Sequence, residues 1–286
     1  MTESPVSILP TGYQRLFERA VEVLQADARV RALWLAGSFG RGDADAASDL
    51  DIIVTVSDIE HEAFTSSSDE WLAAITPTVI AHEIPFIPGS LYTVTPGFER
   101  FDVVVESVTD LVTTMFRDRT LVFDKDCIEA TLPPHHEMPG PSVDAVLYLI
   151  VEYFRTSAIE TITVRGDWLL ARQHIHHVSS LVHRLFVESN QPLPMMGVKQ
   201  WSSRLNEAQQ TVLSGLPTNA TDLESLREAH LSLAAAFVTN AEALLAHLGG
   251  EWPTELETAT AAHLQRHLDL PTPHPRTGEV VVQFSN

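Results

Sequence analysis

The chain has 286 residues, 44% of them hydrophobic, which is enough for one large domain or two ordinary ones with a real core. Its formal net charge is −20, with 9 basic and 23 acidic side chains up to Pro141 and no basic stripe, which argues against long nucleic acid and suits a cationic partner. No apolar run has the length of a membrane span, MTESPVSILP has neither a basic nor an apolar signal region, and the single Cys127 excludes internal disulfides and a thiolate zinc site, so a cytoplasmic protein is expected.

Residues 11–28 place Leu16, Ala20, Val23 and Leu24 on one stripe, which predicts an amphipathic helix with Thr11 as its N-cap. The most informative stretch comes next, WLAGSFGRGDADAASDLDIIVTV (Trp34–Val56). Leu33–Ala36 and Leu50–Val56 are short, apolar and bounded by turn residues, so both read as strands. Gly37, Gly40 and Gly42 let the turn between them bend and come close to a ligand. Backbone N–H groups there, with the Ser38 hydroxyl and the Arg41 guanidinium, suit a phosphate. Asp49 and Asp51 lie two apart, so on a strand both carboxylates face one way while Leu50 and Ile52 face the other. Side by side they repel unless a cation lies between them, and oxygen-only ligands favour Mg²⁺. An Asp-x-Asp alone is too short to carry chemistry. Gly-Ser followed after ten residues by Ser-Asp-x-Asp-Ile, between two strands, is far more specific.

The stretch GSFGRGDADAASDLDIIV resembles the nucleotidyltransferase signature of the polymerase-beta-like superfamily, and within it the bacterial antibiotic nucleotidyltransferases that adenylylate aminoglycosides or lincosamides. The resemblance implies a five-stranded mixed sheet, an NTP (ATP by analogy) with Mg²⁺, and transfer of a nucleoside monophosphate to a small-molecule hydroxyl with release of pyrophosphate. It assigns Gly37 and Ser38 to nucleotide positioning, and Asp49 and Asp51 to the metals. An alternative is a regulatory, antitoxin-like protein that keeps this fold and acts on a protein partner.

Further along, Asp58–Ile75 reads as a helix interrupted at Ser66–Ser68, and Thr78–Phe86 and Leu91–Thr95 as strands. Glu99–Glu106 (ERFDVVVE) is a third strand after the signature, with Asp102 and Glu106 on one face. The resemblance places a third acid on a strand beside the Asp-x-Asp strand. Asp102 falls there, as metal ligand, general base or both, with Glu106 as the fallback. Val108–Met115 reads as a short helix and Thr120–Phe123 as a last strand before Asp124-Lys125-Asp126.

Residues 131–141 carry Pro133, Pro134, Pro139 and Pro141, which exclude helix and mark a linker between a nucleotidyltransferase domain (1–130) and a helical domain (142–270) with a tail (271–286). The expected class is therefore α+β: a mixed sheet with flanking helices, then a bundle of about five helices. The predicted helices are Ser142–Val164, Trp168–Glu188 capped by Asp167, Lys199–Leu213, Asp222–Leu248 and Glu255–Leu268, with Val280–Phe284 as a docked strand. The acceptor is expected between the two domains. Lys199, one of only two lysines, stands in a Lys-x-Trp element similar to one in the family's helical half and is a candidate phosphate contact. Histidines 174, 176, 177 and 183 lack a matching acidic or Cys partner and read as core or surface residues. Arg172 and His177 form an R-x4-H pair similar to the ribonuclease motif of the HEPN helical family, a pattern short enough to arise by chance.

Overall fold

The computed structural model describes residues 4–85, 87, 89–134, 139–156, 159–192 and 202–283. The chain divides into two units, Met1–His136 and Glu137–Asn286.

The first unit is built on a six-stranded mixed sheet. Its strands are β1 (Val30–Leu35), β2 (Leu50–Val56), β3 (Ile80–Glu83), β4 (Ser90–Val94), β5 (Arg100–Ser107) and β6 (Thr120–Asp124), in the order β3-β4-β5-β2-β1-β6. The β2–β5 pair is parallel and the other four pairs are antiparallel. The sheet has six strands rather than the five implied by resemblance. All four residues of the edge strand β3 are exposed, so it extends the sheet without extending the core.

Strand β1 is buried along nearly its whole length because both faces are covered. Leu33 and Leu35 join Leu50, Ile52, Val54, Phe101, Val103 and Val105 in a core under the helices α1 (Thr11–Ala26) and α4 (Ser68–Ile75). Ala32, Trp34 and Ile53 point to a smaller core on the opposite face. This period-two split is what the alternation in VRALWL and LDIIVTV encodes.

Several element boundaries differ from expectation. Pro10, not Thr11, stands at the N-cap of α1, and no side chain caps it. The predicted Asp58–Ile75 helix is interrupted at Ser67, as expected, but its first residues, Asp58–Glu60, form a 3₁₀ turn ahead of α3 (His61–Ser66) and α4. Instead of an α-helix, residues Thr109–Thr113 form a 3₁₀ turn.

The second unit is helical: α5 (Val143–Arg155), α6 (Ile159–Arg165), α7 (Trp168–Asn190), α8 (Glu207–Ser214), α9 (Leu223–His247) and α10 (Thr254–Leu268). Ser142, Asp167, Asn206 and Asp222 cap α5, α7, α8 and α9, each side-chain oxygen accepting from the backbone N–H three residues on. The expected single helix Ser142–Val164 ends at Arg155, where Thr156 is extended, and resumes at Ile159. Helix α9 is long and apolar enough to cross a membrane by length and composition, but 61% of that stretch is buried in the unit's core. Tyr153 stacks on its Phe237 with ring centroids 4.4 Å apart. The residues after Pro271 dock, as expected, but not as a strand. Asn240 Oδ1 accepts from the N–H groups of Val281 (2.7 Å) and Val282 (3.2 Å), while Gln209 Nε2 donates to Val281 O. Phe284 lies outside the described residues.

A cavity of about 20 Å³ in this unit, roomy enough for one water, is lined by Tyr153, His174, His230 and His274 among others. Burial pushes the His174 and His274 imidazoles down to about 4, helped by the neighbouring His230. Above pH 6.5 these rings are neutral in the folded and unfolded chain alike. Between pH 6.5 and 4 only the unfolded chain takes up the protons, so stability falls as the pH is lowered. The loss by pH 4 is roughly 3 kcal/mol for each of the two rings. Urea midpoints measured from pH 7.5 to 4.5 should therefore drop, and His174→Asn should flatten the slope. A profile unchanged by that substitution refutes the assignment.

Candidate functional site

The site lies where β1 and β2 come together. Strand β1 ends at Leu35, and the chain turns at Gly37 into the one-turn helix α2 (Gly37–Arg41). The Ala36 N–H donates to Asp51 O at 2.9 Å, which ties the turn to β2. Gly37 has φ +56°, and a Cβ placed on it would lie 1.8 Å from Asp51 Oδ2. Only glycine lets the backbone lie against that carboxylate. Gly40 is held in the same way against the Asp118 carbonyl, which a Cβ would approach to 2.0 Å. The Ser38 hydroxyl is buried and makes no hydrogen bond among the described residues.

The prediction for Gly37 is direct. Gly37→Ala forces a side chain into left-handed backbone and onto Asp51. It should cost about 1–3 kcal/mol of stability and displace the carboxylate. Urea unfolding and activity measured together should both fall. Wild-type values of both contradict the contact.

The parallel register sets Asp51 of β2 directly beside Asp102 of β5. Neighbouring strands are about 4.8 Å apart and paired residues share a face, so these two carboxylates are adjacent. Asp49 lies one residue before β2, with its Oδ2 3.7 Å from Arg100 Nη2. Arg100 precedes Asp102 by two and shares its face. Sequence reasoning passed over it, although the spacing in ERFD carries the signal. All three aspartates are half-buried.

Glu106 also lies on this face, paired with Thr55 deeper along the strands. Its carboxylate is bound by Arg119 and accepts from Thr55 Oγ1 (3.2 Å) and Thr114 Oγ1 (3.3 Å). Trp34 Nε1 donates to Thr55 Oγ1 at 2.9 Å, and the Arg119 guanidinium lies over the Trp34 ring. Glu106 is thus part of a closed buried network, while Asp102 stands next to Asp51.

The row continues past Asp102. Tyr92 of β4 pairs with Asp102, and His82 of β3 pairs with Tyr92. Asp51, Asp102, Tyr92 and His82 therefore run across four strands on one face. Tyr92 is 37% exposed, an open aromatic edge beside the carboxylates. Sequence spacing within single strands could not show this row, because it depends on pairing between distant segments.

Of the other candidates, Arg41 Nε contacts Asp43 Oδ2 at 3.3 Å on the surface after α2. Lys199 lies outside the described residues. Arg172 and His177 are exposed on α7. His174 is buried, His183 half-buried and His176 exposed. Among the described residues, the group of three ligand atoms within 4.8 Å of one another is Glu160, His263 and His267 in the helical unit. The three aspartates form a more open set.

Residues 17–87 match the family model described as "Nucleotidyltransferase domain", a span that contains Gly37, Ser38, Asp49 and Asp51. The N-terminal unit carries a nucleotidyltransferase domain. The glycine turn, Asp49 and Asp51 lie within that matched span, and Asp102 lies beyond it. No curated protein matches the chain. Similar solved structures include an aminoglycoside 6-adenyltransferase from Bacillus subtilis, 15% identical at TM-score 0.40, covering 90% of this chain and 96% of that one. A nucleotidyltransferase-like protein from Exiguobacterium sibiricum is 11% identical at TM-score 0.32, covering 90% and 88%. A STING-associated c-di-GMP synthase from Capnocytophaga granulosa is 11% identical at TM-score 0.30, covering 83% and 81%. At these TM-scores the likenesses decide nothing about acceptor or chemistry.

Proposed function

We propose that this nucleotidyltransferase transfers AMP from ATP to a hydroxyl of a small cationic molecule, of the aminoglycoside or lincosamide antibiotic class, in the cytoplasm. The observation that carries the reading is the in-register pairing of Asp51 with Asp102 beside the glycine turn that only Gly37 permits.

The donor set fits a divalent ion and a triphosphate. Asp49, Asp51 and Asp102 offer oxygen ligands only, the preference of Mg²⁺, and an open carboxylate set is one that substrate phosphates complete. The buried Ser38 hydroxyl has a hydrogen bond to give, and Gly37 brings the backbone of the turn against the Asp51 carboxylate. Bound Mg²⁺ supplies charge neutralisation for the attacking and leaving oxygens. Gly37, Ser38 and Arg41 hold the triphosphate, with Arg41 exchanging Asp43 for phosphate. Asp102 accepts the proton of the acceptor hydroxyl. That oxygen bonds to the α-phosphorus as the bond to the bridging oxygen of the β-phosphate breaks, and pyrophosphate leaves. The acidity of the unit draws a cationic acceptor, and Tyr92 offers it an aromatic face.

Pyrophosphate release is the test, with each NTP and Mg²⁺ against a panel of aminoglycosides and lincosamides. Release with ATP and at least one of these acceptors is expected; release with none of them refutes the acceptor class. Asp102→Asn should lower kcat/KM by about a hundredfold or more, the scale of a general base, and Glu106→Gln by far less. The opposite order moves the third acid to Glu106.

A further inference from the structure

The helical unit holds a group of side chains that nucleotidyl transfer does not use. His263 and His267 lie four apart on α10 and so project from the same face. Glu160 comes from the first turn of α6, across from them. One ligand atom of each residue lies within 4.8 Å of the other two. His263 Nε2 is 2.6 Å from Glu160 Oε2, yet both atoms are buried and neither has a partner in hydrogen-bond geometry. The two imidazole rings lie with centroids 4.7 Å apart and tilted by 47°. A carboxylate oxygen and two imidazole nitrogens within 4.8 Å of one another are close enough to share one ion.

We propose that Glu160, His263 and His267 form a binding site for a transition-metal dication of the Zn²⁺ type. Two imidazoles and one carboxylate are the donors Zn²⁺ accepts, and a pair of histidines four apart on a helix is a recurrent way to present them. The nitrogen ligands select against Mg²⁺, which takes oxygen donors. Three protein ligands leave a fourth position for water or a small ligand. The metal would pin α6, which follows the break after Arg155, to the last helix of the unit. This site is separate in composition and in unit from the aspartates on the sheet, so its failure leaves the nucleotidyl-transfer reading untouched.

The test uses the full chain, stripped with chelator and held in excess Mg²⁺ to occupy oxygen-only sites. Zn²⁺ is then titrated by calorimetry, and Co²⁺ by its visible absorption. One equivalent with a tetrahedral Co²⁺ spectrum is expected, along with a melting temperature raised by Zn²⁺. His263→Gln, His267→Gln and Glu160→Gln should each weaken that equivalent about tenfold or more and abolish the Zn²⁺ shift. His176→Gln and His177→Gln, at exposed positions of α7, should leave both unchanged. The metal-free melting temperature of each variant reports whether it folds, and the half-buried His267 is the position where substitution is mildest. No stoichiometric binding, or binding that persists in folded His267→Gln and Glu160→Gln, reduces the group to an ion pair and overturns the proposal.

Discussion

Asp51→Asn should leave the protein folded and reduce Mg²⁺-dependent nucleotidyl transfer by about a thousandfold or more, or about 4 kcal/mol of transition-state stabilisation. The substitution keeps the shape of the side chain, so its fit beside Gly37 and Asp102 is retained. What it removes is negative charge. In a row of carboxylates that charge repels its neighbours, and the amide keeps the side chain's shape, so the urea midpoint should change little as activity disappears. A conservative change that kills activity without harming stability separates a metal-binding role from a structural one. A fully active Asp51→Asn protein ends the mechanism. An inactive protein with a lowered midpoint shows instead that Asp51 supports the strand.

Arg119→Met should be the most destabilising single substitution in the first unit, at about 3–5 kcal/mol. The Arg119 side chain is fully buried and Glu106 is 6% exposed. Besides binding Glu106, the guanidinium donates to Phe116 O (2.6 Å) and to Thr114 Oγ1 (2.9 Å). Removing it strands a buried carboxylate with only the Thr55 and Thr114 hydroxyls among its described partners. Replacing both partners, as in Arg119→Met/Glu106→Leu, removes the stranded charge and should recover most of the loss. Urea unfolding of the single and double variants decides it. Equal destabilisation in both shows that the pair contributes through shape rather than charge. Glu106 shares β5 with Asp102, so the single variant should also depress activity, by loosening the strand that carries the acid.

What was legible in the sequence was local structure. Trp34–Val56 holds two apolar runs that form β1 and β2 around a glycine turn, and these read correctly because their partners are close in the chain. The caps at Ser142 and Asp167 are legible for the same reason, since the acceptor and its N–H are three residues apart. Where the chain departs from its pattern, reading fails. Hydrophobic periodicity runs straight through Arg155 to Ile159, so the break between α5 and α6 is invisible to it. The tail after Pro271 has strand-like composition, but Asn240 and Gln209 take its backbone groups and leave no ladder to form.

By itself, then, the sequence determined the two-part architecture, the turn that approaches Asp51, and the face on which both signature aspartates lie. Only the tertiary structure decided which acid stands beside them. Asp102 and Glu106 share a strand face and are equivalent by spacing. The parallel β2–β5 register pairs one with Asp51 and the other with Thr55, and Arg119, from a distant loop, binds the second. The same holds for Tyr92 and His82 in the row across the sheet, and for Glu160 with His263 and His267. Register and helix packing are set by nonlocal burial, and residues far apart in the chain leave no periodic mark of the partner they will meet.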